Sequence, residues 1–231
     1  MWDNKLKAVT FSFDDGVTQD IRMIELLDRY GLKGTFNLNT YLLGEVKKDV
    51  FNGETFTIRK VKPEEVKRIY ANHEVTAHTL SHKRLTDLED ENEIIRQVEV
   101  DRLSLRELSG KEVVGMAYPC GGVNSDSRVA NIIKNNTGIK YSRTIHSTYS
   151  FDLQDNLLLF DPTVSFTEEE VLTLADKFLN TKTDKPQLFY IWGHSYECDY
   201  FRIWERTEKL FDILSGHDDI YYATNREVFG F

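Results

Sequence analysis

The 231-residue sequence has two cysteines, Cys120 and Cys198, and no CxxC pair, which excludes a disulfide framework and leaves at most one bridge. So little cysteine suits a reducing compartment. Four prolines and thirteen glycines are scattered rather than gathered. No linker, repeat or low-complexity tract therefore divides residues 1–231, and a single domain is expected. No apolar run approaches the length of a membrane span, and the opening MWDNKLKAV has no basic stretch followed by an apolar one. As written, the chain is expected to be cytoplasmic and free of membrane contact, or secreted if a leader has been removed. Positive charge is scarce as well. Lys and Arg number 29 against 38 Asp and Glu, a net charge of -9 with no basic run, which argues against nucleic acid as a partner. No GxGxxG turn follows the first apolar segment, so a Rossmann cofactor site is unsupported.

What is present is an ordinary globular balance, 40% hydrophobic and 29% charged, enough for a substantial core. Short β-branched and aromatic runs alternate with longer polar-apolar stretches. The strand candidates are KAVTFSF (7–13), KGTFNLN (33–39), EVTAH (74–78), VVGMAY (113–118), KYSRT (140–144), QLFYIW (187–192) and IYYAT (220–224). Helix signals lie between them. Pro63 with Glu64 and Glu65 marks a first turn, and Thr167 with Glu170 is a capping-box pattern. The stretch 89–109 carries Ile94, Ile95, Val98, Leu103, Leu105 and Leu108, with Gly110 as a stop. Residues 51–60 suggest a small extra hairpin. Strand and helix alternating from end to end imply an α/β fold with about seven parallel strands, as an open sheet or a barrel.

Polar groups collect at the ends of these strands. Asp14 and Asp15 close the first in FSFDDG, His78 and His82 follow EVTAH, Pro119-Cys120-Gly121-Gly122 follows VVGMAY, and His194 follows QLFYIW. The carboxyl-end rim of a parallel sheet is where active sites are built from several strand ends. In HTLSH a spacing of four sets two imidazoles on one face of a helical turn, close enough to grip one ion. One member of the Asp14–Asp15 pair would complete a two-His, one-carboxylate set with positions left for water and substrate. A divalent cation would also offset the repulsion between adjacent carboxylates, and Gly16 would permit the turn that aims both at one point. The competing role for the two acids is to cap a helix starting near Thr18.

FSFDDG, HTLSH, a strand-end proline-glycine turn and a late strand-end histidine, in that order, resemble the polysaccharide deacetylase family, the NodB-homology domain. GLKGTFNLN (31–39) is similar to that family's second strand, so the likeness runs through nearly the whole chain. The resemblance implies a distorted (β/α) barrel and one divalent metal, zinc with cobalt or manganese as alternatives. It implies hydrolysis of acetyl groups from an N-acetylated or O-acetylated carbohydrate. Residue by residue, Asp14 is the implied catalytic base, Asp15, His78 and His82 the metal ligands, and His194 the general acid. Cys120 stands where a backbone N–H would help bind the oxyanion, next to Pro119 and Tyr118. Trp192, Tyr118, Tyr196 and Trp204 could present faces to a sugar, and Asn39 or Asn124 could bond its hydroxyls. Two departures stand out. Ala117 occupies the place of the family arginine that holds the base, and the region around Phe160-Asp161-Pro162 is a poor match to the fourth motif, an aspartate-tryptophan pair. The rival readings are a hydrolase of a non-sugar amide or cyclic imide, and a carbohydrate-binding protein with little turnover.

Overall fold

The computed structural model describes residues 2–231. Its strands are β1 (Lys7–Asp14), β2 (Gly34–Leu38), β3 (Val46–Phe51), β4 (Glu54–Arg59), β5 (Glu74–Ala77), β6 (Gly115–Ala117), β7 (Tyr141–Arg143), β8 (Val164–Ser165), β9 (Gln187–Gly193) and β10 (Ile220–Tyr222). The helices are α1 (Asp20–Arg29), α2 (Val66–Ile69), α3 (Glu91–Ser109), α4 (Ser127–Asn136), α5 (Val171–Asn180), α6 (Glu197–Tyr200), α7 (Trp204–Leu214) and α8 (Asn225–Phe229). None is long and apolar enough to cross a membrane.

Eight strands form one parallel sheet in the order β7-β6-β5-β2-β1-β9-β8, with β10 set against the first half of β1. Residues 160–165 join the two ends. Phe160 exchanges backbone hydrogen bonds with β7, accepting from Thr144 and donating to Ser142, and Thr163 and Phe166 donate to Tyr190 and Trp192 of β9. The result is a distorted (β/α) barrel. All seven expected strands form. β8, two residues long, escapes a pattern that needs four to six to register.

β1 is buried along its whole length, and its period of two divides the molecule. Val9, Phe11 and Phe13 join the main core between sheet and helices. Ala8, Thr10, Ser12 and Asp14 face the barrel interior, where the floor is an apolar cluster of Trp2, Ala8, Phe160, Leu188, Tyr190, Ala223 and Val228. Above that floor the interior turns polar. Thr10 donates to Asn225 at 2.8 Å, and the Asn37 amide donates to Ser12 at 2.9 Å and to Asp14 at 2.7 Å. Parallel register sets Asn37 beside Asp14 and Arg143 beside Ala117 on this face.

Three local expectations change. The extra hairpin is larger than foreseen, β3 and β4 spanning Val46 to Arg59. The Thr167–Glu170 capping box does not form. Glu170 is the N-cap of α5 without a side-chain bond, while Glu168 accepts the Ser165 N–H at 3.0 Å. Neither Asp14 nor Asp15 caps α1, whose N-cap is Gln19.

Candidate active site

Asp14 is the last residue of β1 and points into the barrel, 2% exposed. Nη2 of Arg143 donates to both its oxygens at 2.5 Å. Burial pushes the Asp14 carboxyl up, but Arg143, then His78 and His194, outweigh it and leave the pKa below the ordinary value of 3.8. Asp15 leaves the strand in a left-handed conformation, φ +84°. Gly16 follows at φ +58°, where a Cβ would come within 2.7 Å of Leu38. Two successive left-handed residues swing Asp15 onto the rim beside Asp14 instead of to the opposite face. Its carboxylate receives the Lys60 ammonium on Oδ1 at 2.8 Å, and Lys60 also donates to the Asp15 carbonyl at 2.6 Å. Burial raises the Asp15 pKa, whereas Lys60 and the three nearby histidines lower it far more.

HTLSH is not a helical turn, contrary to the spacing argument. It is a loop with Thr79 at φ +64° and His82 at φ +57°, which still brings the rings of His78 and His82 to 5.0 Å between centroids. The loop is braced from behind. Asp101 accepts the His78 N–H at 3.0 Å, and the Asn39 amide donates to the carbonyls of His78 and Thr79. Asn39, expected among the substrate contacts, is buried, holds this loop and is not among the residues that line the cleft. Asn124 is spent likewise, on the carbonyls of Tyr118 and Cys120.

Ligand atoms of Asp15, His78 and His82 all lie within 4.8 Å of one another. His78 Nδ1 sits 2.8 Å from the Ala117 carbonyl, so that nitrogen carries the hydrogen and Nε2 is left with a lone pair. Burial lowers the His78 pKa to about 4 and pushes that of His82 down, so both imidazoles are neutral near pH 7. Two neutral imidazoles and one ionised carboxylate are a donor set that fits a first-row divalent cation.

His194 follows Gly193, with Nε2 4.0 Å from Asp14 and 4.0 Å from Asp15. Glu197 Oε2 accepts the His194 backbone N–H at 2.9 Å and lies 3.3 Å from Nδ1, an ion pair rather than an aligned hydrogen bond. Burial alone would lower the His194 pKa. Glu197, then Asp14 and Asp15, reverse this and lift it to about 9. Asp161, the nearest candidate for the fourth motif, is instead engaged by Thr144 and Gln154.

The residue that sequence reasoning missed is Arg143. It stands in exact register with Ala117 on the adjacent strand and the same interior face, so it reaches Asp14 from one strand further round. The available signal was a lone arginine inside a short strand candidate, KYSRT. Its guanidinium also lies 4.5 Å from the Trp192 ring. Trp192 lines the cleft with its indole N–H buried and unpartnered. Tyr118 contributes a ring wall while its hydroxyl donates to Leu158, and Pro119 is buried behind it. Cys120, at φ +68°, sets its Sγ 3.8 Å from His82 Nδ1. Cys120 and Cys198 are both free thiols. Asp14, Asp15, the three histidines, Tyr118, Cys120 and Trp192 line a cleft of about 320 Å³.

A family model described as polysaccharide deacetylase matches residues 3–141. The chain is similar in structure to the peptidoglycan deacetylase PdaC from Bacillus subtilis, at 18% identity and TM-score 0.57, covering 98% of this chain and 91% of that one. It is similar to the Xyl-CE4 domain of a multidomain xylanase from the hindgut metagenome of Trinervitermes trinervoides, at 15% identity and TM-score 0.60, covering 96% and 89%. A CE4 family pseudoenzyme from Bacillus anthracis aligns at 17% identity and TM-score 0.56, covering 97% and 65%. At these identities the likeness is one of fold. No curated protein matches the chain.

Proposed function

Because the chain belongs to the polysaccharide deacetylase family, we propose that it is a metal-dependent hydrolase that removes acetyl groups from an N-acetylated or O-acetylated carbohydrate. Asp15, His78 and His82 would hold one divalent cation, zinc first, with cobalt or manganese as alternatives. When bound it supplies Lewis-acid activation of water and of the acyl carbonyl. Asp14, kept ionised by Arg143, takes the proton of the attacking water. The Cys120 backbone N–H is offered to the developing oxyanion, and the Trp192 ring to the sugar. His194, held protonated by Glu197, gives its proton to the departing nitrogen or oxygen.

The observation that carries this reading is the pairing of Asp14 and His194. They stand 4.0 Å apart with their protonation pushed in opposite directions, as a base and an acid acting at one bond require. The pairing favours turnover over a binding role. The test is acetate release from N-acetylated and O-acetylated oligosaccharides, with and without chelator and added Zn²⁺ or Co²⁺. Chelator-sensitive release that Asp14→Asn abolishes, with metal still bound, supports the proposal. Sugar binding without release from any substrate would refute it, as would an active Asp14→Asn variant.

A further inference from the structure

The β3–β4 hairpin has no part in the barrel, yet it is fastened to the catalytic rim at both ends. At its base, Thr18 donates to the Arg59 carbonyl at 2.8 Å and Val61 to the Gly16 carbonyl at 2.9 Å. Lys60, immediately after β4, bonds Asp15 itself. At its tip, Tyr200 donates to Asp49 at 2.9 Å and Arg202 to Glu54 at 2.6 Å. Phe56 and Phe51 pack on the Tyr200 ring, with centroids 4.6 and 5.2 Å away. The hairpin thus spans from the turn after β1 to helix α6, just past His194. It bridges the rim between the two strand ends that carry the base and the acid. Lys47, Ile58 and Lys60 line the same cavity as Asp14, Asp15 and His194.

A polymer bound at an internal sugar must leave the site in both directions. With one direction walled, the site accommodates a chain end. The cavity volume agrees, since 320 Å³ lies at the bottom of the range for small-molecule pockets and holds about one sugar with its acyl group. Resting on the deacetylase reading above, we infer that the hairpin makes this site act on a terminal or single acylated sugar and exclude internal units of a polymer. The hairpin is the specificity element.

The experiment is kcat/KM for acetate release from N-acetylated and O-acetylated oligosaccharides of one to six sugars, with the deacetylated position in the hexamer located by mass spectrometry. A walled site gives values that change less than about threefold from the disaccharide upward, and a product deacetylated at its terminal sugar. A groove that used the binding energy of further sugars would raise kcat/KM about tenfold or more with length. That rise, or acetate lost first from internal units, overturns the inference while leaving the deacetylase reading intact. No release at any length overturns both. In the double variant Tyr200→Ala, Arg202→Ala, which removes the ring and both hydrogen bonds that hold the tip without touching the cavity lining, the hexamer-to-disaccharide ratio should rise at least about threefold as the extra sugars gain contact. An unchanged ratio in a folded variant also overturns it.

Discussion

A buried carboxylate serves as a base only while it stays ionised, and at Asp14 the Arg143 guanidinium supplies that condition. Removing one partner of a fully buried pair leaves an uncompensated charge, so Arg143→Met should cost about 3–5 kcal/mol of stability. Pairing it with Asp14→Asn should recover part of that loss, a non-additivity that denaturant unfolding of the three variants measures. Asp14→Asn alone should lower kcat by about 10²–10⁴. In the proposed mechanism His194 governs the alkaline side. As its folded pKa is raised from 6.5 to about 9, its protonated form, and the activity that needs it, is lost as pH rises through the folded value. A cation on Asp15 moves that limit lower. The same shift contributes stability that is full below about pH 6.5 and gone above about pH 9. Glu197→Gln should therefore move the alkaline limb of the kcat/KM profile to lower pH, and an unmoved limb would dismiss Glu197 as the group that holds the acid. At this scale the ionisable groups on the rim were readable because each follows a strand end. Arg143 was not, because its meaning lies in the lateral register of β7 on β6, and a linear pattern does not carry register.

The elements show the same division. β1, β2, β5 and β9 are buried on both faces and stand out as apolar or β-branched runs, so they and the rim they define were legible. The shape of HTLSH was not, since its two left-handed residues are imposed by Asp101, Asn39 and Gln97 from other elements. The hairpin is mostly solvent-facing, and its role depends on α6, far along the chain. Gly193 is a tight joint in this arrangement. A Cβ there would lie 2.3 Å from the Phe166 ring, at φ +155°. Gly193→Ala should therefore cost about 1–3 kcal/mol and displace His194, lowering kcat more than it alters metal affinity. Equal loss of both would place the damage in the fold at large.

Across the whole molecule, distant parts of the sequence meet at one cation-sized locus, with Asp15 after β1 and His78 and His82 after β5. A ligand that binds the folded chain alone stabilises it by about 2.7 kcal/mol at a hundredfold excess over Kd. For a chain of this length that amounts to a rise in Tm of roughly 5–10 °C. Zn²⁺ should therefore raise the melting temperature of the wild type and leave a His78→Ala, His82→Ala variant unmoved. The most direct measurement is Zn²⁺ binding by calorimetry to the purified, chelator-treated protein. One equivalent per chain, lost in the double-histidine variant while its circular dichroism stays native, is the expected result. No binding to the wild type, or equal binding to the variant, would contradict the convergence of these three residues on a metal.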